Sequence, residues 1–408
     1  ALEPVAEGLT SPTQLVADPD AGQRYVLDQT GEIHAIGSDG LEPEPFLDLS
    51  DDVTVSKERG LLGMAFHPEY PDDPRFFVRY SVRGRDDLPE DYTHTEVLAE
   101  FRTAADGTVL RDSERSLLEI PSPTPFHNAG TIAFGPDGYL YLTMGESNNP
   151  GLAQTVEGNL LGGIHRIDVD GETDDRPYAI PPDNPLVGES GRSEYYAWGF
   201  RNPWRLSFYD GDPIVGDVGP YSYEEVTVVE KGGNYGWPYR CGGSCRGWED
   251  GSDSGENCGV DPDSTPGGEF TDPVVALERG ESNGFAVIGG CTYDRDDVPG
   301  LRGTYLFGNH TTSHDEASGD LLMADPEGGE PWPVSKPRIE NGPDGEVGRV
   351  ITSLGHDADG HVYLLTTAVP LAGDQFGHDA GEVFKIVPPD ATDASVPPAS
   401  VSTETPTE

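Results

Sequence analysis

Short apolar runs, each preceded by a turn rich in Asp, Pro and Gly, recur along the whole chain. The first is ADPDAGQRYVLDQTGEIHAI at 17 to 36, the second FHPEYPDDPRFFVRYSV at 66 to 82 and the third FGPDGYLYLTMGE at 134 to 146. SFYDGDPIVGDVG (207 to 219), DVPGLRGTYLFGN (297 to 309) and GHDADGHVYLLTT (355 to 367) follow. The turn residues bend the backbone, and the aromatic and aliphatic residues after them suit a pleated, buried strand. Runs this short, flanked by breakers, predict strands rather than helices. Six copies at intervals made uneven by loop insertions predict an all-β fold, a six-bladed β-propeller of four-stranded antiparallel sheets over residues 1–387.

The 53 Gly and 37 Pro agree, since both residues interrupt helix interiors and serve turns. The widest gap in the pattern, between the fourth and fifth copies, holds GGSCRGWEDGSDSGENCGVDPDSTPGG and predicts a long Cys-containing loop at about 240–268. Its carboxylates are read as a solvated acidic face, with a calcium loop as the alternative. The last strand is expected at 382 to 387. Beyond it, residues 388–408 (PPDATDASVPPASVSTETPTE) are Pro, Ser and Thr rich and read as a disordered linker or stalk leading to a surface anchor.

Charge narrows the class. There are 74 acidic residues against 25 basic ones, a formal net charge of −49. That excludes nucleic acid as a partner, because phosphate binding needs a basic footprint. The acidic residues are scattered between apolar strands, so they fit a folded protein adapted to high salt rather than a disordered acidic chain. Only four lysines occur, Lys57, Lys231, Lys336 and Lys385, with arginine supplying the remaining basic charge. No apolar run is long enough to span a membrane as a helix, and no signal peptide is visible. Cys241, Cys245, Cys258 and Cys291 are spaced poorly for zinc and predict two disulfides, which place the chain outside the cytoplasm, secreted or at the cell surface.

Candidate chemistry clusters in SPTPFHNAGTIAFGPDGYLYLTMGE at 122 to 146, where the strand at 139 to 143 delivers Glu146 to its end and His127 lies on the loop before it. A histidine and a carboxylate reaching one rim suit general-base chemistry; alone, the same histidine reads as a surface residue before a hairpin. ERGLLGMAFHPEY carries Glu58 and Arg59 to the same rim, WGFRNPWRLSF carries Arg201 and Asn202, and VEKGGNYGWPYRC makes a tight turn at Gly236, Trp237 and Pro238. His67 reads as a packed turn residue, while His310 and His314 could share a metal only on a helix. Asn309-His310-Thr311 is an N-glycosylation acceptor sequence.

ERGLLGMAFHP, HNAGTIAFGPDGYLYLTMGE, WGFRNPWRLSF, GGNYGWP and LRGTYLFGN, in that order over about residues 9 to 387, resemble the soluble pyrroloquinoline quinone (PQQ) dependent glucose/sorbosone dehydrogenases, also called aldose sugar dehydrogenases. The resemblance implies PQQ over the channel mouth with Ca²⁺ on main-chain carbonyls, here those of Gly236 and Pro238. It implies that His127 takes the proton of the anomeric hydroxyl of an aldose while hydride passes to the quinone, and that Glu146, where the family usually has Asp, orients His127. Arg201 then polarises a quinone carbonyl, Asn202 lies beside it, Glu58 faces the substrate, and an external acceptor reoxidises the cofactor. The family's basic residues against the PQQ carboxylates are replaced in part, Asp320 standing where Arg is common. Arg349 is the remaining candidate, with a surface ion pair as its alternative. A Ca²⁺-dependent lactonase and a non-catalytic cell-surface binding propeller are the competing readings of the same fold.

Overall fold

The six turn-plus-strand copies are the second strands of six sheets: Arg24–Asp28, Arg75–Arg83, Leu140–Met144, Asp212–Asp217, Tyr305–Thr311 and Val362–Thr367. Each pairs antiparallel with the strand before it, respectively Pro12–Ala17, Leu61–Phe66, Ile132–Phe134, Pro203–Tyr209, Phe285–Thr292 and Val350–His356. These preceding strands are the innermost of their sheets. The computed structural model describes residues 1–389 except 21, 85–87, 89, 90, 221, 247–252, 256–264, 281–283, 371–375 and 378.

The six sheets form the expected six-bladed propeller. In the sixth blade the outer strand is Leu2–Leu9, which pairs with Gly381–Ile386 and places Leu2 opposite Ile386. The first and last parts of the chain thus close the ring in one sheet. In the first blade the outer position is filled by the short segments Gly40–Leu41 and Leu47–Asp48.

Six apolar clusters hold the ring, one between each pair of neighbouring blades. Phe66, Phe76 and Val97 of the second blade pack on Tyr25, Leu27 and Ile33 of the first. The remaining seams repeat the arrangement, ending with Tyr363, Leu365 and Val383 of the sixth blade against Leu15, Val26 and Ile36. A blade buried between two neighbours must be apolar on both faces, which is why the second strands read as continuous apolar runs rather than alternating ones. Near the axis the backbones nearly touch: a Cβ on Gly63 would stand 2.3 Å from the Gly130 carbonyl oxygen.

The predicted turns, such as Gly135-Pro136 and Asp357-Ala358, gather at one mouth of the axial channel. The ends of the second strands and the loops between blades gather at the other.

Three expectations change. The segment at about 240–268 is not loop throughout: Arg240–Cys241, Ser244–Arg246 and Asp253–Gly255 form a three-stranded sheet, and 247–252 and 256–264 lie outside the described residues. Two disulfides do not form, because Cys291 is a free thiol in the inner strand of the fifth blade, buried among Leu306, Leu321 and Ile351, and burial pushes that thiol up to about 12. Asn309 is fully buried on the second strand of the fifth blade, out of reach of glycosylation in the folded chain. Most of the tail, 390–408, lies outside the described residues. Among the described residues no helix is long and apolar enough to cross a membrane.

Candidate active site

His127 stands at the channel mouth on the loop between Val109–Ser122, the outer strand of the second blade, and Ile132–Phe134. Its backbone is in the left-handed region, φ +55°, and so is that of Ala129 at +54°. These are uncommon values for residues with a Cβ and mark a loop held by its surroundings. Glu58 Oε2 accepts the His127 backbone N–H at 2.7 Å, and Asn202 Oδ1 accepts that of Ala129 at 3.0 Å. Gly145 permits the approach of strand and loop, since a Cβ there would lie 2.1 Å from the His127 carbonyl oxygen.

Glu146, one residue further on, is fully buried, and its Oε1 lies 2.8 Å from His127 Nδ1. Its other oxygen accepts the Asn149 backbone N–H. A carboxylate only accepts, so Nδ1 carries the imidazole hydrogen and Nε2 is left as the basic nitrogen. The pair has the geometry that a general base with an orienting partner requires.

Arg201 and Asn202 begin the fourth blade. Their backbone N–H groups donate to Asp217 Oδ2 at 3.0 Å and Oδ1 at 2.6 Å, a two-point clamp from the neighbouring strand. Asp217 is buried, and burial pushes its carboxyl up to about 6 against the opposing pull of those two hydrogen bonds. Arg201 Nη1 donates to the Val218 carbonyl at 2.7 Å, and its guanidinium lies 5.9 Å from the Trp237 ring centroid. Asn202 Nδ2 reaches Glu58 Oε2 at 3.3 Å. Glu58, His127 and Asn202 therefore share one hydrogen-bonded unit.

These residues line a cavity of about 460 Å³, together with Lys57, Phe126, Trp204, Arg279, Phe285 and His310. His127, Arg201, Asn202 and Glu58 are brought together as the sequence suggests, and Glu146 stands behind His127. Arg349 is not brought there: it pairs with Glu382 at 3.0 Å and donates to Thr366 Oγ1 and the Ala380 carbonyl. Arg59 is likewise absent from the cavity wall. Asp320 is neutralised by Lys336 at 2.6 Å. His67 is buried in its turn and accepts the Glu69 N–H. His310 donates Nδ1–H to the Ile351 carbonyl at 2.8 Å, whereas His314 packs on Phe285, so the two do not form a metal pair.

Arg279, Lys57 and Phe126 carried no signal of their own in the sequence. Arg279 follows the outer strand Val275–Glu278 and is carried to the mouth by the crossing from the fourth blade to the fifth. Its Nη1 donates to the Gly219 and Pro220 carbonyls, and its Nε lies 3.3 Å from Glu224. Lys57 adjoins Glu58 at φ +58°.

The donor set fits a planar polyanion such as PQQ: three cationic side chains, Lys57, Arg201 and Arg279, stand around aromatic walls in a space of suitable size. It does not fit calcium at the Gly236 turn. The Gly236 carbonyl already accepts the N–H groups of Tyr239 at 2.7 Å and Arg240 at 2.9 Å, and the Trp237 carbonyl accepts from Gln154 Nε2 at 2.8 Å. Neither Gly236 nor Pro238 lines the cavity.

HIPL2 protein of Arabidopsis thaliana is 32% identical over 376 residues, 75% of this chain and 51% of that protein. Quinoprotein glucose dehydrogenase B of Acinetobacter calcoaceticus is 26% identical over 255 residues, 57% of this chain and 51% of that protein. The chain spans about half the length of these curated relatives. The solved PQQ-bound form of aldose sugar dehydrogenase from Streptomyces coelicolor has the same fold, with a TM-score of 0.66 at 22% identity over 94% of this chain and 96% of that one. The family model for glucose / sorbosone dehydrogenase matches residues 9–369, which take in all of the first five blades and part of the sixth, and the chain belongs to that family.

Proposed function

We propose that the chain oxidises the anomeric hydroxyl of an aldose to the lactone, with PQQ as the hydride acceptor and His127 Nε2 as the proton acceptor. The observation that carries this reading is the His127–Glu146 contact at 2.8 Å on the wall of a cavity that also holds Arg201 and Asn202. When bound, PQQ supplies a two-electron sink, and Lys57, Arg201, Asn202 and Arg279 are the residues placed to hold it. A carbinol carbon gives up hydride readily only as its hydroxyl loses a proton, so the base must stand beside the same carbon. Glu146 keeps Nδ1 protonated and offsets the positive charge that His127 gains. Arg201 would supply a fixed cation beside an acceptor held in the cavity. Substrate loses one hydride and one proton, and an external acceptor removes the electrons. Calcium has no part in this reading. A lactonase is disfavoured, since among the described residues the cavity wall offers no ring of carboxylates, Glu58 being its one carboxylate.

Titration of the purified chain with PQQ in molar salt, followed by dye reduction with a panel of aldoses, tests the proposal. Saturable binding and sugar-dependent reduction are expected, slowed by deuterium at C1 and reduced by about 10²–10⁴ in His127→Ala with PQQ binding retained. Absence of PQQ binding at micromolar concentration overturns it. That outcome favours a non-catalytic binding propeller, a reading supported by a relative, the HIPL2 protein, that carries no enzyme's name.

A further inference from the structure

The axial channel contains a charge that the protein leaves uncompensated. Arg205, on the inner strand Pro203–Tyr209, is 3% exposed and lines the wider cavity of about 780 Å³ at the mouth opposite the candidate active site. Its Nη1 is spent on the Leu62 carbonyl at 3.0 Å and Thr131 Oγ1 at 3.1 Å, so one side chain ties the second, third and fourth blades. Thr131 in turn donates to the Trp204 carbonyl. The Nε and Nη2 atoms of Arg205 are buried and have no hydrogen-bond partner. In a guanidinium these two nitrogens present N–H groups along one edge, the edge that grips an anion side-on.

Among the described residues no carboxylate pairs with Arg205, although the chain has 74 acidic residues. Arg79, the charged group that acts on it, is also cationic and fully buried. Glu96 lies 3.5 Å from Arg79 and also binds His94 and Ser81, so it is committed there. Burial presses Arg205 down to about 9, which still leaves it charged at neutral pH. An isolated buried charge costs several kcal/mol unless it is paired, and arginine does not escape by losing its proton. The Trp204 ring covers the guanidinium, its centroid 4.4 Å away, which leaves the buried and unpartnered Nε–Nη2 edge as the side that can hold an anion and limits the anion's size.

We propose that the axial channel binds one monovalent anion of halide size on the Nε–Nη2 edge of Arg205, making the anion a structural counter-ion at the junction of three blades. The site is separate from the PQQ reading and stands or falls without it.

Crystals of the wild-type chain grown or soaked in bromide test this directly. An anomalous peak within hydrogen-bond distance of Arg205 Nε and Nη2 is expected. A water there, or no density, overturns the proposal. In solution, Tm in chloride is compared with Tm in gluconate, an anion too large for the site, at equal ionic strength. Wild type is expected to melt higher in chloride, by an increment that saturates with concentration. Arg205→Met is expected to lose that increment, and an equal chloride response in both proteins overturns the proposal. If Arg205→Met fails to fold, the bromide map of the wild type still decides.

Discussion

The backbone N–H of His127 donates to Glu58 Oε2 at 2.7 Å while the His127 backbone stands at φ +55°. A left-handed conformation in a residue with a Cβ costs about 1–3 kcal/mol. A hydrogen bond to a charged acceptor contributes about 1.5–3 kcal/mol, enough to offset it. Glu58 thus holds the loop that presents the imidazole, besides facing the cavity. Glu58→Leu is expected to lower kcat by about 100-fold, the scale of a 1 Å misplacement, and to lower stability by about 1–3 kcal/mol. Glu58→Gln keeps an acceptor oxygen and should lose far less. Steady-state kinetics and calorimetry check both, and equal losses in the two variants would show that the bond does not position His127.

Glu146 acts on the other side of the imidazole. Its oxygen lies 2.8 Å from Nδ1, and Glu146→Asp withdraws the carboxylate by about 1.5 Å, one carbon–carbon bond. Glu146→Gln keeps the length and removes the charge. Loss of base function altogether, as in His127→Ala, is expected to reduce kcat by about 10²–10⁴. Both Glu146 variants should fall between that and wild type, with PQQ affinity unchanged. A Glu146→Gln enzyme with full kcat would mean that the carboxylate serves only packing.

The second strands were legible because each is buried between two neighbouring blades and follows a Gly, Pro or Asp turn, as in Gly138 before Leu140–Met144. Outer strands were not: Val109–Ser122 has no buried position before Leu117 and so carries no apolar run, and Gly40–Leu41 is too short to carry a pattern. His127, Glu58, Arg201 and Asn202 were legible because each lies beside a strand with a recognisable motif. Arg279 was not, since its place at the mouth depends on where the fifth blade docks on the fourth. Arg349 illustrates the converse. Its place just before the inner strand Val350–His356 suited the cavity, but Glu382 on a strand of the same blade captures its guanidinium.

Those two arginines give a paired prediction. Arg279→Ala removes one of three cations from the cavity and is expected to weaken PQQ binding by about 10–100-fold, in line with about 1.5–3 kcal/mol for a charge-assisted contact. Arg349→Ala should leave PQQ affinity within about twofold, because the side chain is held by Glu382, Thr366 and Ala380. Fluorescence titration of both variants checks this. The reverse ranking would return Arg349 to the cofactor and remove Arg279.

Asp217 lies directly opposite Glu225 across two strands of the fourth blade. Burial pushes Asp217 up to about 6 and Glu225 up to about 8, the like charge of Asp217 adding to the second. Both groups bind protons more tightly folded than unfolded. Their contribution is therefore fully present below the ordinary carboxylate range and is lost as pH rises through about 6 and then about 8. For Asp217 alone the difference is on the order of 3 kcal/mol. The denaturant midpoint at constant molar salt should fall between pH 4 and 8, and Glu225→Gln should flatten the upper part of that fall. A midpoint that rises across this range in wild type would contradict the assignment.

Closure of the ring rests on Leu2–Leu9, whose Leu2, Ala6 and Leu9 are buried against the sixth blade and its neighbours. Leu9 packs with Leu15, Leu365 and Val383 at the seam between the sixth blade and the first. Removal of residues 1–9 exposes that seam and leaves Gly381–Ile386 as an open edge, a template for aggregation. Leu9→Ala makes a cavity at the same seam, far from His127 in the chain, and is expected to cost about 2–5 kcal/mol. The truncated chain should be insoluble or melt well below wild type, whereas Leu9→Ala should melt lower yet bind PQQ with unchanged affinity. Scanning calorimetry and the PQQ titration measure the two effects separately. A truncation with wild-type Tm would show that the ring is held by its blade-to-blade clusters alone and that the shared sixth sheet adds nothing.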